Sequence, residues 1–217
     1  MDTRTTENTN LRDITEKFDG LDAAIRTDFR SSNELAEIGH WVATETSIRL
    51  PFFRAFRFPN RLNDNEKAIL ENYNAIATDS RNKQMITPAA EWLLDNHHLV
   101  RENIRQVKRD LPVRFFKQLP EITIEGDGRL PRTFALAWLY IAHTDSHFEG
   151  PTLTAIVNGF QQTETLQIGE IWAIPAILRF ILIENLRRIS DRVDRSRKMR
   201  VEANTFADYL SPAGERP

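Results

Sequence analysis

The chain has 217 residues, with 29 basic against 31 acidic side chains and no cysteine. A net charge of -2 and a pI of about 6.2 provide no whole-molecule attraction for nucleic acid or anionic lipid. The absent cysteines exclude disulfides, thiolate metal sites and cysteine nucleophiles, and the length is enough to bury one substantial core.

In chain order, residues 1–10 read as a disordered tail, 11–200 as one helical domain and 201–217 as a C-terminal tail or truncated linker. The polar N-terminus lacks the apolar core of a secretory signal, which predicts a cytoplasmic chain. Leu11–Phe29 predicts one or two weak helical turns. Ser31-Ser32-Asn33-Glu34 has capping-box spacing and predicts a helix through Val42. Pro51–Pro59 alternates four phenylalanines with two arginines. It reads as a connector whose rings plug the core, with a membrane-interface patch or a base-stacking platform as the sharper alternatives. Asn63 through Glu66 repeats the capping logic and predicts a helix to about Asn82.

Thr87-Pro88 is a cap followed by proline at the first helical position, and opens a long helix to Asp110 that Leu111-Pro112 stops. Ala89, Leu93, Val100, Ile104 and Val107 form its apolar stripe, flanked by Trp92 and Leu99. Asn96 and His97 fall in the gap of the stripe and are expected inside, each satisfied by backbone or a facing side chain. Glu91, Asp95, His98 and Glu102 form the opposite ridge. Acid precedes base along it, which suits the helix dipole, and a charged surface face accounts for it. A divalent metal on Glu91, Asp95 and His98 is the alternative.

After an aromatic segment at Arg114–Glu121, Ile122–Ile124 is the only strand-like stretch, too short by itself to carry a sheet, and Gly126-Asp127-Gly128 is a turn. Arg132–His143 is a helix, and Gly150-Pro151 opens another to about Gln161. His143 and His147 stand four apart with Asp145 between them, which admits zinc. Their place at a helix end favours capping, and the H-E-x-x-H pattern is missing.

The apolar helix of about 168–190 is expected at the centre, surrounded by neighbours, with Arg179 inside and in need of an acidic partner such as Glu184. Its apolar core, Ile171–Ile183, is interrupted by Pro175 and Arg179 and falls short of the roughly 20 residues a membrane span needs. Beyond it, Glu184–Arg200 carries a local charge of +4, and its basic part, Arg187–Arg200, reads as either a solvated face or a peripheral contact with an anionic membrane. No P-loop, G-x-G-x-x-G or G-x-S-x-G motif is found, and the four tryptophans are too unevenly spaced for a solenoid repeat. The fold class is thus all-α, a single-domain irregular bundle around the apolar helix.

Four stretches, Ile86–Asp110, Phe115–Pro120, Pro131–Phe148 and Leu166–Ile189, resemble in order and spacing the N-terminal region of cyclic β-1,2-glucan synthases. The resemblance covers roughly residues 25–205, and the family is not consistently histidine at the position of His147. It implies a cytoplasmic helical segment at the inner face of the inner membrane. In that family it precedes a membrane glycosyltransferase that builds β-1,2-glucan from UDP-glucose. The family's catalytic residues lie downstream and match no position here, so no catalytic residue and no cofactor are assigned. The implied partner is that transferase domain, downstream or separate, with no nucleic acid and no direct membrane span. Trp92, Asn96, His97, His143, Asp145, Trp172, Arg179 and Glu184 are the residues assigned structural or interaction roles. A small metal-dependent enzyme built on the His/Asp/Glu clusters and an inert gene fragment are the competing readings. The chain ends near Pro217, which suggests a truncated piece or a free-standing relative of the segment.

Overall fold

The computed structural model describes residues 23–50, 53, 57–126 and 128–210. The expected tail at 1–10, the first part of the Leu11–Phe29 turns, most of Pro51–Phe56, Asp127 and residues 211–217 lie outside them. Among the described residues the chain forms α1 (Ser32–Thr44), β1 (Ser47–Ile48), α2 (Asn60–Arg81), α3 (Pro88–Asp110) and α4 (Val113–Phe116). There follow β2 (Glu121–Ile124), β3 (Gly128–Pro131), α5 (Arg132–His143), α6 (Gly150–Gln161) and α7 (Ile168–Leu210).

The fold is mostly helical but not all-α, and this corrects the expected class. Ile122–Ile124 belongs to the middle strand of a three-stranded sheet in the order β1-β2-β3. β1 pairs parallel with β2 through Ser47↔Thr123, and β3 pairs antiparallel through Glu121↔Pro131 and Ile124↔Gly128. Ile122 and Ile124 point into the core while their neighbours face out. Gly126 and Gly128 take φ of 79° and 87° at the hairpin turn, a conformation side chains resist.

Capping explains the helix starts that the sequence places correctly. Glu34 N–H donates to the Ser31 side chain and Glu34 returns a carboxylate to the Ser31 backbone, a complete capping box. The Thr87 side chain accepts from Ala90 N–H ahead of Pro88. Asn63 is not a cap: α2 begins at Asn60 after Pro59, placing Asn63 within its first turn. Pro59 itself stands at the N-cap, and the helix starts there with no side-chain cap hydrogen bond.

Residues 23–29 are not helical. They run as a strap across α5 and α7, held by Thr27 N–H to Ala142 O (2.7 Å) and Ile25 N–H to Asn185 Oδ1 (2.7 Å). α1 and α6 cross at two glycines. A Cβ on Gly39 would stand 2.0 Å from Ile156 O, and one on Gly159 would stand 1.9 Å from Ala36 O, so the backbones meet there. In the connector, Phe53 packs edge-on against Trp138 and Phe58 stacks on Phe116 at 4.5 Å, which supports core plugging at the described positions.

α7 is not surrounded on all sides. Ala173, Ile177, Phe180 and Ile181 are buried against α2, α3 and α5, while Ile168, Ile171, Trp172 and Ile189 face solvent. The helix is apolar all round over this length, yet one face stays uncovered.

Candidate functional site

The buried polar groups that order the domain sit on α7. Glu184 is fully buried and takes four donors at close range: Arg61 Nε and Nη2 at 2.8 and 2.6 Å, Arg188 Nε at 2.8 Å and Asn65 Nδ2 at 2.9 Å. Arg187 stands at 3.4 Å and also bonds Asp191. Arg188 reaches the Ala23 carbonyl at 3.0 Å and lies over the Trp138 ring, so one carboxylate joins α2, α5, α7 and the strap. The seam continues through Asn72 to Ser190 and Asp191, then Arg197 to Asp79 and Asp194.

A second buried carboxylate, Glu170, receives Arg132 in a fork (2.7 and 2.8 Å) and Gln167 N–H at 2.9 Å, which fixes the start of α7. Arg61 and Arg132 lie far from these carboxylates in sequence, whereas Arg187 and Arg188 follow Glu184 by three and four residues on the same helix. Only the Gln167-x-x-Glu170 capping spacing signals Glu170 locally.

Burial pushes the Glu184 carboxyl up, but Arg61 and Arg188 outweigh it and hold the pKa down at about 2. A folded-state pKa below the unfolded value of 4.5 stabilises the protein above pH 4.5, and that stabilisation is lost as pH falls toward 2. His143 titrates from the other side. Burial keeps its imidazole pKa below 6.5, so stability falls as pH drops through 6.5, where the unfolded chain takes up a proton first. The expected result is a two-stage loss of urea midpoint on acidification, beginning below pH 6.5 and steepening below pH 4.5. His143→Gln should shrink the first stage and leave the part due to His97, whose pKa burial and Arg101 also hold below 6.5.

Arg179 does not occupy the buried position expected of it. Its side chain is 40% exposed and its carboxylate neighbour is Asp110 at 3.9 Å, while Glu184 is engaged by Arg61, Arg187 and Arg188. At Arg179 the helix turns its uncovered face outward. Asn96 is half-exposed and donates to the Trp92 carbonyl of its own helix, and His97 is half-buried, stacked on Tyr73 of α2 at 4.0 Å. Neither is fully inside, because α2 covers α3 only to the depth of Tyr73. Trp92 is 51% exposed.

On the outer ridge, Glu91 and Asp95 are exposed, His98 Nδ1 lies 3.2 Å from the Asp95 carbonyl, and Glu102 pairs with Arg109 at 3.0 Å. At the end of α5, Asp145 and Ser146 take φ of 48° and 65° and close the helix, with Ser146 N–H reaching Ile141 O. His143 Nδ1 faces the Asp28 carbonyl at 3.0 Å and the Thr27 hydroxyl at 2.7 Å. A carbonyl only accepts, so Nδ1 carries the proton. His147 points to solvent beside Glu149, and Asp145 lies 3.9 Å from Arg26. The structure thus brings His143 to the strap and keeps it apart from His147. Among the described residues no three His, Asp or Glu side chains gather in a metal-ligand arrangement, and no helix is long and apolar enough to cross a membrane.

No family model matches the chain. It is 50% identical over 206 residues, 95% of its length, to the cyclic β-(1,2)-glucan synthase NdvB of Rhizobium meliloti (strain 1021), and spans 7% of the length of that synthase. Along nearly its whole length, the chain therefore matches one segment of a cyclic β-(1,2)-glucan synthase.

Proposed function

We propose that this chain is a non-catalytic helical unit that docks on, orders or regulates a membrane glycosyltransferase making cyclic β-1,2-glucan from UDP-glucose. The 50% identity along 95% of the chain to a small part of such a synthase carries the reading. The internal chemistry supports it. Glu184 and Glu170, the fully buried carboxylates, are spent on arginines that tie helices together, which makes a rigid body rather than a reactive pocket. On this reading the unit works at the cytoplasmic face of the inner membrane.

Peripheral contact with anionic lipid would use part of the basic C-terminal stretch. Arg187 and Arg188 are buried on Glu184, and Arg197 and Lys198 pair with Asp194. Arg192, Arg195 and Arg200 are the exposed cations left to meet such a surface. The test is co-expression of the tagged chain with a cyclic β-(1,2)-glucan synthase lacking the matching segment, followed by pull-down in mild detergent. The expected result is retention of the synthase on the tag. No association would overturn the reading.

A further inference from the structure

The uncovered face of α7 has a regular spacing. Ile168, Trp172, Pro175, Arg179, Leu182, Leu186, Ile189 and Val193 follow one another at alternating intervals of four and three, the spacing of a helix seam. Ile168 and Trp172 are 69% and 77% exposed, Ile171 and Ile189 also face solvent, and Leu182, Leu186 and Val193 are half-buried at the edge of the core. The row runs about 38 Å along the helix. Beside it, α3 presents Trp92 and Leu99, both about half exposed, on the same face as Asp110, since spacings of seven and eleven return to one side of a helix. Asp110 approaches Arg179 from that face, so the α3 and α7 rows border each other.

Resting on the docking role above, the geometry points to one occupant of this surface: an amphipathic helix from the remainder of the synthase, with apolar residues at the same spacing and a carboxylate level with Arg179. Heptad-spaced apolar positions beside a second apolar row suit a helix laid along them. A second copy of this chain fits poorly. Arg179 lies near the middle of the row, so two-fold pairing, parallel or antiparallel, brings the two arginines within about one turn of each other. A bilayer fits poorly as well, because Arg179 stands in the centre of the apolar row rather than at its rim. The chain spans 7% of the matched synthase, which leaves a large polypeptide from which such a helix can come.

The test replaces Trp172, and separately Ile189, with the photo-crosslinker p-benzoylphenylalanine, in the tagged chain co-expressed with the synthase lacking its matching segment. Irradiation is expected to join both positions to a single helical peptide of the synthase. Trp172→Asp and Ile189→Asp are expected to reduce capture at least tenfold with an unchanged melting temperature. Crosslinks to a second copy, to lipid or to no product while capture persists would overturn the inference and leave the docking role standing. Undiminished capture by the aspartate variants would do the same. Failure of the unaltered chain to capture the synthase at all overturns both.

Discussion

Glu184→Ala is expected to cost about 3–5 kcal/mol of folding stability, the range for removing one partner from a buried ion pair. Arg61, Arg187 and Arg188 would remain together at the junction of α2 and α7, and Asn65 would lose its acceptor. Mutual repulsion of the guanidinium groups adds to their desolvation. For a chain of this size the melting temperature should fall by about 10 °C, read by circular dichroism. Glu184→Gln keeps the shape but not the charge and should also destabilise. Arg179→Ala, at an exposed pair 3.9 Å apart, should change stability by less than about 1 kcal/mol. Equal effects of the Glu184 and Arg179 variants would contradict the assignment of Glu184 as the organising charge.

The second large effect is expected at the crossing of α1 and α6. Gly159→Ala places a methyl group inside van der Waals contact of the Ala36 backbone, and Gly39→Ala does the same at Ile156. Main chain cannot swing aside as a side-chain tip does, so the helices must separate. Overpacking of this kind costs about 1–3 kcal/mol, with the upper end expected here. Because both substitutions open one crossing, the double variant should cost less than the sum of the single ones, measurable by urea denaturation. Gly150→Ala, with open space where the Cβ would stand, is the control and should be nearly neutral.

Local chemistry was legible in the sequence at three helix starts, though not at Asn63. Ser31, Thr87-Pro88 and Gly150-Pro151 mark helix starts because the capping groups and the φ of proline act within one turn. The bounds of α5 followed from an apolar run between Pro131 and a turn of Thr, Asp and Ser. Long-range pairing was not legible. β1 is two residues long and joins β2 from a distant part of the chain, so nothing near Ser47 announces a strand. Arg61 and Arg132 look like ordinary surface arginines until α2 and α5 are laid against α7. The misplacement of Arg179 has a related cause. Periodicity shows that α7 is apolar all round, but not whether every side of it is covered. At its uncovered side Arg179 reaches solvent, and Glu184, one turn and a half further on, receives Arg61 from α2 and Arg187 and Arg188 from its own helix.

Grafting asks whether a glucan-synthesising transferase depends on the proposed rigid helical unit. Residues 23–210 replace the matching segment in a cyclic β-(1,2)-glucan synthase, and β-1,2-glucan formed from UDP-glucose is measured in membranes. Glucan synthesis near that of the intact synthase is expected with the graft, and a large loss both when the segment is deleted and when the graft carries Glu184→Ala. Full synthesis by the deleted synthase, or none with the graft despite normal membrane levels, would contradict that dependence.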